Sequence, residues 1–124
     1  MTVPTISSVG GLFNDPTQSV IEFGLSAAGA AEQVDANDLA NQATPDFHAT
    51  RLDFQTNLAS ALATGDPGQA AADLVNAGGA MNANGNDVDV TASMSDLQRN
   101  SMLYQALAEA VSNRLDLVHV ALGQ

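Results

Sequence analysis

The sequence predicts an all-α fold. Two long terminal helices, over about residues 16–42 and 90–122, pair as a helical hairpin or coiled-coil-like bundle around an irregular, partly mobile middle segment. Three observations predict it. Asp15-Pro16 is a helix start followed by apolar residues at three- and four-residue spacing. A heptad ladder runs from Val90 to Leu122. Between them, residues 77–87 (AGGAMNANGND) are poor in large apolar side chains and rich in Gly and Asn. The whole chain, 1–124, reads as one unit.

Residues 1–15 form an irregular lead-in, punctuated by Pro4 and Gly10-Gly11. Asp15 is a good N-cap, and Pro16 fits the first helical position, where a missing N–H costs nothing. The stripe of the first helix is Val20, Phe23, Ala27, Ala30 and Val34. Gly24 and Gly29 weaken it by about 1 kcal/mol each relative to Ala. Thr44-Pro45 ends it, because the residue before proline is pushed out of the α region. Asp46 favours a turn there. Leu52, Phe54, Leu58, Ala61 and Leu62 suit a short helix or a bent extended segment, and Gly65-Asp66-Pro67-Gly68 breaks it. Residues 69–76 (QAAADLVN) suit two helical turns, and 77–87 a mobile loop.

The last segment carries the strongest pattern. Its seam is Val90, Met94, Leu97, Ser101, Tyr104, Ala108, Val111, Leu115, Val118 and Leu122, of which only Ser101 is not apolar. A second stripe flanks it at Leu103, Leu107, Ala110, Leu117 and Ala121. Two adjacent stripes make a face wider than one partner helix covers. Asp96 and Arg99, three apart, suit a solvent-side pair.

Composition narrows the function. The 124 residues hold 14 acidic and 3 basic side chains and no Cys, for a net charge of -11. No Lys is present, and Arg51, Arg99 and Arg114 lie far apart. Such a chain is a poor ligand for nucleic acid or anionic membranes. Zero Cys excludes disulfides, thiolate metal sites and cysteine nucleophiles. The hydrophobic share is 45%, but 22 of those residues are Ala, which bury little area each. Much of the useful burial is therefore expected from partner chains. No apolar run is long enough to span a membrane. Residues 1–14 lack the positive and apolar regions of a secretory signal. Both a cytoplasmic location and export without a cleaved signal fit that picture.

Chemistry-bearing patterns are weak. His48 and His119 are the only histidines, no zinc-type spacing accompanies them, and both read as structural or solvated. Setting Gly85 at the sixth position of a calcium loop puts Ala80 and Thr91 where the end ligands belong, so the pattern fails. There is no nucleophile elbow and no phosphate-binding loop. The residues point to no enzyme, no cofactor and no metal.

Two segments nevertheless resemble one family. In Asp38-Leu39-Ala40-Asn41-Gln42-Ala43-Thr44-Pro45-Asp46-Phe47, the residues Ala40, Asn41, Thr44, Pro45 and Phe47 match the signature of flagellar axial proteins, roughly N-I-A-N-x-x-T-P-G-[YF]. Arg51, Asp53 and Phe54 match its continuation in the proximal-rod type. Gly85-Asn86-Asp87-Val88-Asp89-Val90, then Met94, Leu97 and Tyr104-Gln105-Ala106-Leu107, resemble the C-terminal part of the same flagellar basal-body rod family, FlgB type. The matches cover about half the chain. Asp46 stands where the family prefers Gly, and Asp tolerates the left-handed conformation better than most residues.

The resemblance implies a structural subunit of the bacterial flagellar basal-body proximal rod, with no catalytic site or cofactor. It implies export by the flagellar type III apparatus without a cleaved signal, and a location in the periplasmic rod. Its partners would be other rod subunits and export or basal-body components, with no nucleic acid and no membrane insertion, and it would be oligomeric in the rod. The residues expected to carry assembly are the turn residues Asn41, Thr44, Pro45 and Phe47. With them go Met94, Leu97, Tyr104, Leu107, Val111, Leu115, Val118 and Leu122 along the last helix. Asp in place of Leu107 or Leu115 is expected to abolish assembly. Two alternatives stay open: another flagellar axial protein, and a soluble acidic helical adaptor or chaperone of the cytoplasm.

Overall fold

The computed structural model describes residues 15–123, so the lead-in expected over 1–15 lies outside it except for Asp15. Helix α1 spans Pro16–Ala40. Its start is built as the sequence suggests: Asp15 has extended backbone and accepts from Thr17 N at 3.0 Å, with Pro16 just inside. It stops at Ala40, two residues before the expected end. The Asn41 N–H closes the last turn on the carbonyls of Asn37 and Asp38.

The expected two-helix hairpin with an irregular middle is overturned. The described chain has three helices and a small antiparallel sheet. Strand β1 is Thr50–Asp53, helix α2 is Gln55–Thr64, a 3₁₀ turn covers Pro67–Gln69, strand β2 is Asp73–Asn76, and helix α3 is Val90–Ala121. The strands pair Thr50 with Asn76, Arg51 with Val75, Leu52 with Leu74 and Asp53 with Asp73. The helical turns expected over 69–76 are therefore absent. Asp66 accepts from Gly68 N at 2.9 Å and holds the 3₁₀ turn instead. Strand β2 is set by its non-local partner β1, which local spacing does not reveal. Gly65, at φ +67°, ends α2 in the left-handed region, where glycine carries no Cβ penalty. Nor is 77–87 a free loop, since Ala77 N bonds Ala49 O, Gly79 N bonds Asp87 O and Asn82 N bonds Asn86 O.

Helices α1 and α3 run antiparallel. Asp15 meets Arg114, Gly24 meets Leu107, and Asp35 meets Asn100, so rising numbers in one helix meet falling numbers in the other. The α1 row that faces inward is Ile21, Gly24, Ala28, Ala31, Asp35 and Asp38. Of the expected stripe, Val20 and Ala27 are buried, Phe23 and Val34 are half-buried, and Ala30 is exposed. The inward row of α3 is Ser93, Asn100 and Leu107, at seven-residue spacing. Small residues face α3 along the middle of α1, which lets the helices approach closely. Phe54, Leu58 and Ala61 of the β1–α2 segment close the core from one side.

Gly24 marks the tightest point. A Cβ there would come 2.9 Å from both Leu58 Cδ1 and Leu107 Cδ1, and both leucines are buried. At Gly29 a Cβ would meet only the Tyr104 ring, at 3.6 Å. Gly24→Val is therefore expected to destabilise by about 3 kcal/mol through overpacking and branching. Gly29→Ala is expected to stabilise by up to about 1 kcal/mol through helix propensity. Urea unfolding of the two variants checks both signs.

Candidate assembly surface

Two features stand out: a polar joint where α1 hands over to the sheet, and an uncovered side of the α1–α3 pair. The joint is built around Asn86, which is fully buried. Its Nδ2 donates to the carbonyls of Asn41 at 2.8 Å and Thr44 at 2.7 Å, and its Oδ1 accepts from Val88 N at 2.9 Å. Asp46 N donates to Asn84 O, and Asp87 N to Phe47 O. The chain after α1 is thus strapped to the chain before α3. Asp46 holds φ +57° here, the left-handed conformation its short polar side chain tolerates. Gly85, at φ +79°, lies against the Asp46 side chain so closely that a Cβ would collide with it.

Carboxylates complete the joint. Asp87 accepts from Ala49 N at 2.7 Å and sits 3.0 Å from His48 Nδ1. The His48 hydrogen bond and the Ala49 N–H hold its carboxyl below the ordinary range. Gly78 backs onto that carboxylate, leaving no room for a Cβ. Asp35 is buried and accepts from Asn100 Nδ2 at 2.8 Å, while Asn100 Oδ1 accepts from Gln55 Nε2 at 3.2 Å. One polar thread therefore links α1, α3 and α2, and burial pushes the Asp35 carboxyl up.

Asp38 is incompletely paired. Its Oδ2 accepts from Thr50 N at 3.1 Å, but its buried Oδ1 has no partner among the described residues. Burial pushes its carboxyl up to about 6. Between about pH 4, where the unfolded carboxyl titrates, and pH 6, the native state holds a proton that the unfolded state has released. Stability from this group is therefore greatest below about pH 4 and falls as pH rises through about 6. Asp35 acts in the same direction. Asp15, held low by Arg114 and the Thr17 N–H, and Asp87 act oppositely, losing their contribution as pH falls below their depressed values. Asp38→Asn, neutral at all pH, is expected to flatten the fall in thermal midpoint between about pH 4 and 6. An unchanged slope would remove Asp38 as its cause.

The second feature is the side of the helix pair away from α2 and the sheet. Leu103 turns toward Gln55, Leu58 and Leu62 of α2. The seam Val90–Met94–Leu97–Ser101 instead borders an open groove of about 990 Å³, opposite Glu32, Leu39 and Gln42. A second hollow lies at Tyr104, over Gly29 and beside Leu25 and Gln33. A third is bordered by Leu115 and Val118 together with Asp15, Gln18, Glu22 and Arg114.

The structure places the expected residues of α3 in three groups. Leu107 belongs to the subunit's own core. Leu97, Val111 and Val118 are half-buried along the edge of the α1–α3 contact. Met94, Tyr104, Leu115 and Leu122 are exposed, Met94 by 58% and Leu115 by 51%. Thr44 and Pro45 expose their side chains, Asn41 and Phe47 are half-buried, and Asn41, Thr44 and Phe47 serve the joint through backbone carbonyls. Asn86, Asp87 and Asp38 lie within the two segments that resemble the rod family, and all three are buried. Their burial had no signal in periodicity, because each is held by non-local backbone groups.

Among the described residues, no group of three or more His, Cys, Asp or Glu is placed to hold a metal. No described helix is long and apolar enough to cross a membrane. Fold and surface together define a helical spine with a strapped joint and an apolar side that no other described residue covers. No protein-family model matches the chain, and no curated protein matches it.

Proposed function

We propose that this chain is a structural subunit of the bacterial flagellar basal-body rod, of the proximal type, exported without a cleaved signal. One observation carries the reading. The two segments that resemble that family meet in one joint, where buried Asn86 holds the carbonyls of Asn41 and Thr44, 45 and 42 residues away in sequence. Residues matched for their order thus have a shared physical task, fixing how the chain leaves α1 and enters α3. The uncovered seam supports the reading further. A core of nine residues, four of them Ala, supplies modest burial, and large apolar side chains remain for neighbours. Its partners would be other rod subunits and basal-body or export components.

The test is fractionation. Detergent-resistant basal bodies from flagellated source cells are probed for this chain by mass spectrometry. Recovery at a few copies per structure is expected. Recovery only from the soluble cytoplasm would overturn the reading in favour of an acidic helical adaptor.

A further inference from the structure

We propose that Asn84 is a self-modification site: a deamidating asparagine whose rate the joint holds back and whose product loosens the joint. The chain has ten asparagines, and only Asn84 is followed by glycine. Glycine carries no Cβ to hinder approach to its nitrogen. The step needs only this chain and water. The Gly85 nitrogen attacks Asn84 Cγ, the side-chain amino group leaves as ammonia with the Gly85 proton, and a cyclic imide closes. Water then opens the imide at either carbonyl, giving aspartate or isoaspartate. Nucleophile and electrophile are neighbours on one chain, so proximity supplies most of what a catalyst would.

The structure adds one promoting contact and one restraint. Asn86 N–H donates to Asn84 Oδ1 at 3.2 Å, the oxygen on which negative charge develops during attack. The Asn84 side chain is exposed, so water reaches it. Against these, the Gly85 N–H is spent on Asn82 O at 3.0 Å, and Asn82 N closes the same turn on Asn86 O at 2.8 Å. A hydrogen-bonded backbone proton is released only when the turn opens. Attack cannot proceed without that loss, so the restraint decides. The turn belongs to the joint, because Asp46 N holds Asn84 O at 3.0 Å and the Asn86 side chain binds Asn41 O, Thr44 O and Val88 N. The product then acts back on the joint. Either form sets a new carboxylate beside Asp46, whose side chain lies against Gly85, and near Asp87. Like charges repel there. Isoaspartate also lengthens the backbone by a methylene between two residues whose bonds hold the turn.

The full chain is aged in mildly alkaline buffer, natively and in urea, and mapped by mass spectrometry with isoaspartate scored at each asparagine. In urea, Asn84 is expected to convert ahead of Asn82 and Asn86. In the native chain its conversion is expected to be slower by at least about tenfold. The aged fraction, separated by its added negative charge, is expected to unfold at lower urea than the parent. Asn84→Asp, which carries the charge without the longer backbone, is expected to do the same, by a margin that narrows as salt rises. Asn84 converting no faster than Asn82 and Asn86 in urea would overturn the site. A native rate equal to the rate in urea would overturn the restraint, and an aged fraction as stable as the parent would overturn the effect on the joint.

Discussion

Leu107→Asp is expected to unfold the subunit, whereas Leu115→Asp is expected to leave it folded and unable to assemble. The sequence puts both residues on apolar stripes of one helix and does not distinguish them. Leu107 is 6% exposed and packs at Gly24 within the core. An aspartate there buries a carboxylate without a partner and removes a leucine, at a cost of about 5 kcal/mol or more, comparable with the whole stability of a small domain. Leu115 is 51% exposed, so the same change costs the monomer little. Thermal unfolding by circular dichroism, read beside motility of strains carrying each variant, separates the two. Loss of the folding transition is expected for Leu107→Asp. A normal transition with no motility is expected for Leu115→Asp, and normal motility in that strain would show that Leu115 carries no assembly contact.

Asn86→Ala is expected to give the second-largest loss of stability. The side chain makes three hydrogen bonds with backbone groups, two as donor and one as acceptor. Truncation strands the Asn41 and Thr44 carbonyls and the Val88 N–H, at about 1–3 kcal/mol for each group that water cannot reach. A total loss of about 3 kcal/mol is expected. Asn86→Asp keeps the acceptor for Val88 N–H but turns a negative oxygen toward two carbonyls, so it is expected to be at least as damaging. Urea unfolding at neutral pH measures both. If Asn86→Ala unfolds within about 0.5 kcal/mol of the parent, the joint is not a stability element.

The limits of legibility follow from which interactions are local. The start of α1 was readable because Asp15 and Pro16 act within one helical turn, and the start of α3 because heptad spacing is a property of a single helix. The Asp46 turn was readable because left-handed backbone depends on the residue itself. The strands were not. Thr50–Asp53 and Asp73–Asn76 are four residues each and exist through pairing across a gap of about twenty residues, so neither has a periodic signature long enough to detect. The same holds for Asp38 and Asp87. An acidic side chain reads as solvated until its partners, the Thr50 and Ala49 N–H groups, are brought to it.

The sequence alone determined the two long helices near their observed bounds and the apolar ladder along α3, although the first helix ends at Ala40, ahead of the Thr44-Pro45 break. Each depends on neighbours within a few residues. The tertiary structure alone decided which way that ladder turns. Gly24, Ala28 and Ala31 bring α1 against Ser93, Asn100 and Leu107, and α2 then closes over Gly24. Close approach of small residues outweighs the burial of larger side chains, because the helices meet where backbones can come nearest. The large apolar seam is thereby rotated to the side that α2 and the sheet leave uncovered, where its exposed residues remain available to another chain.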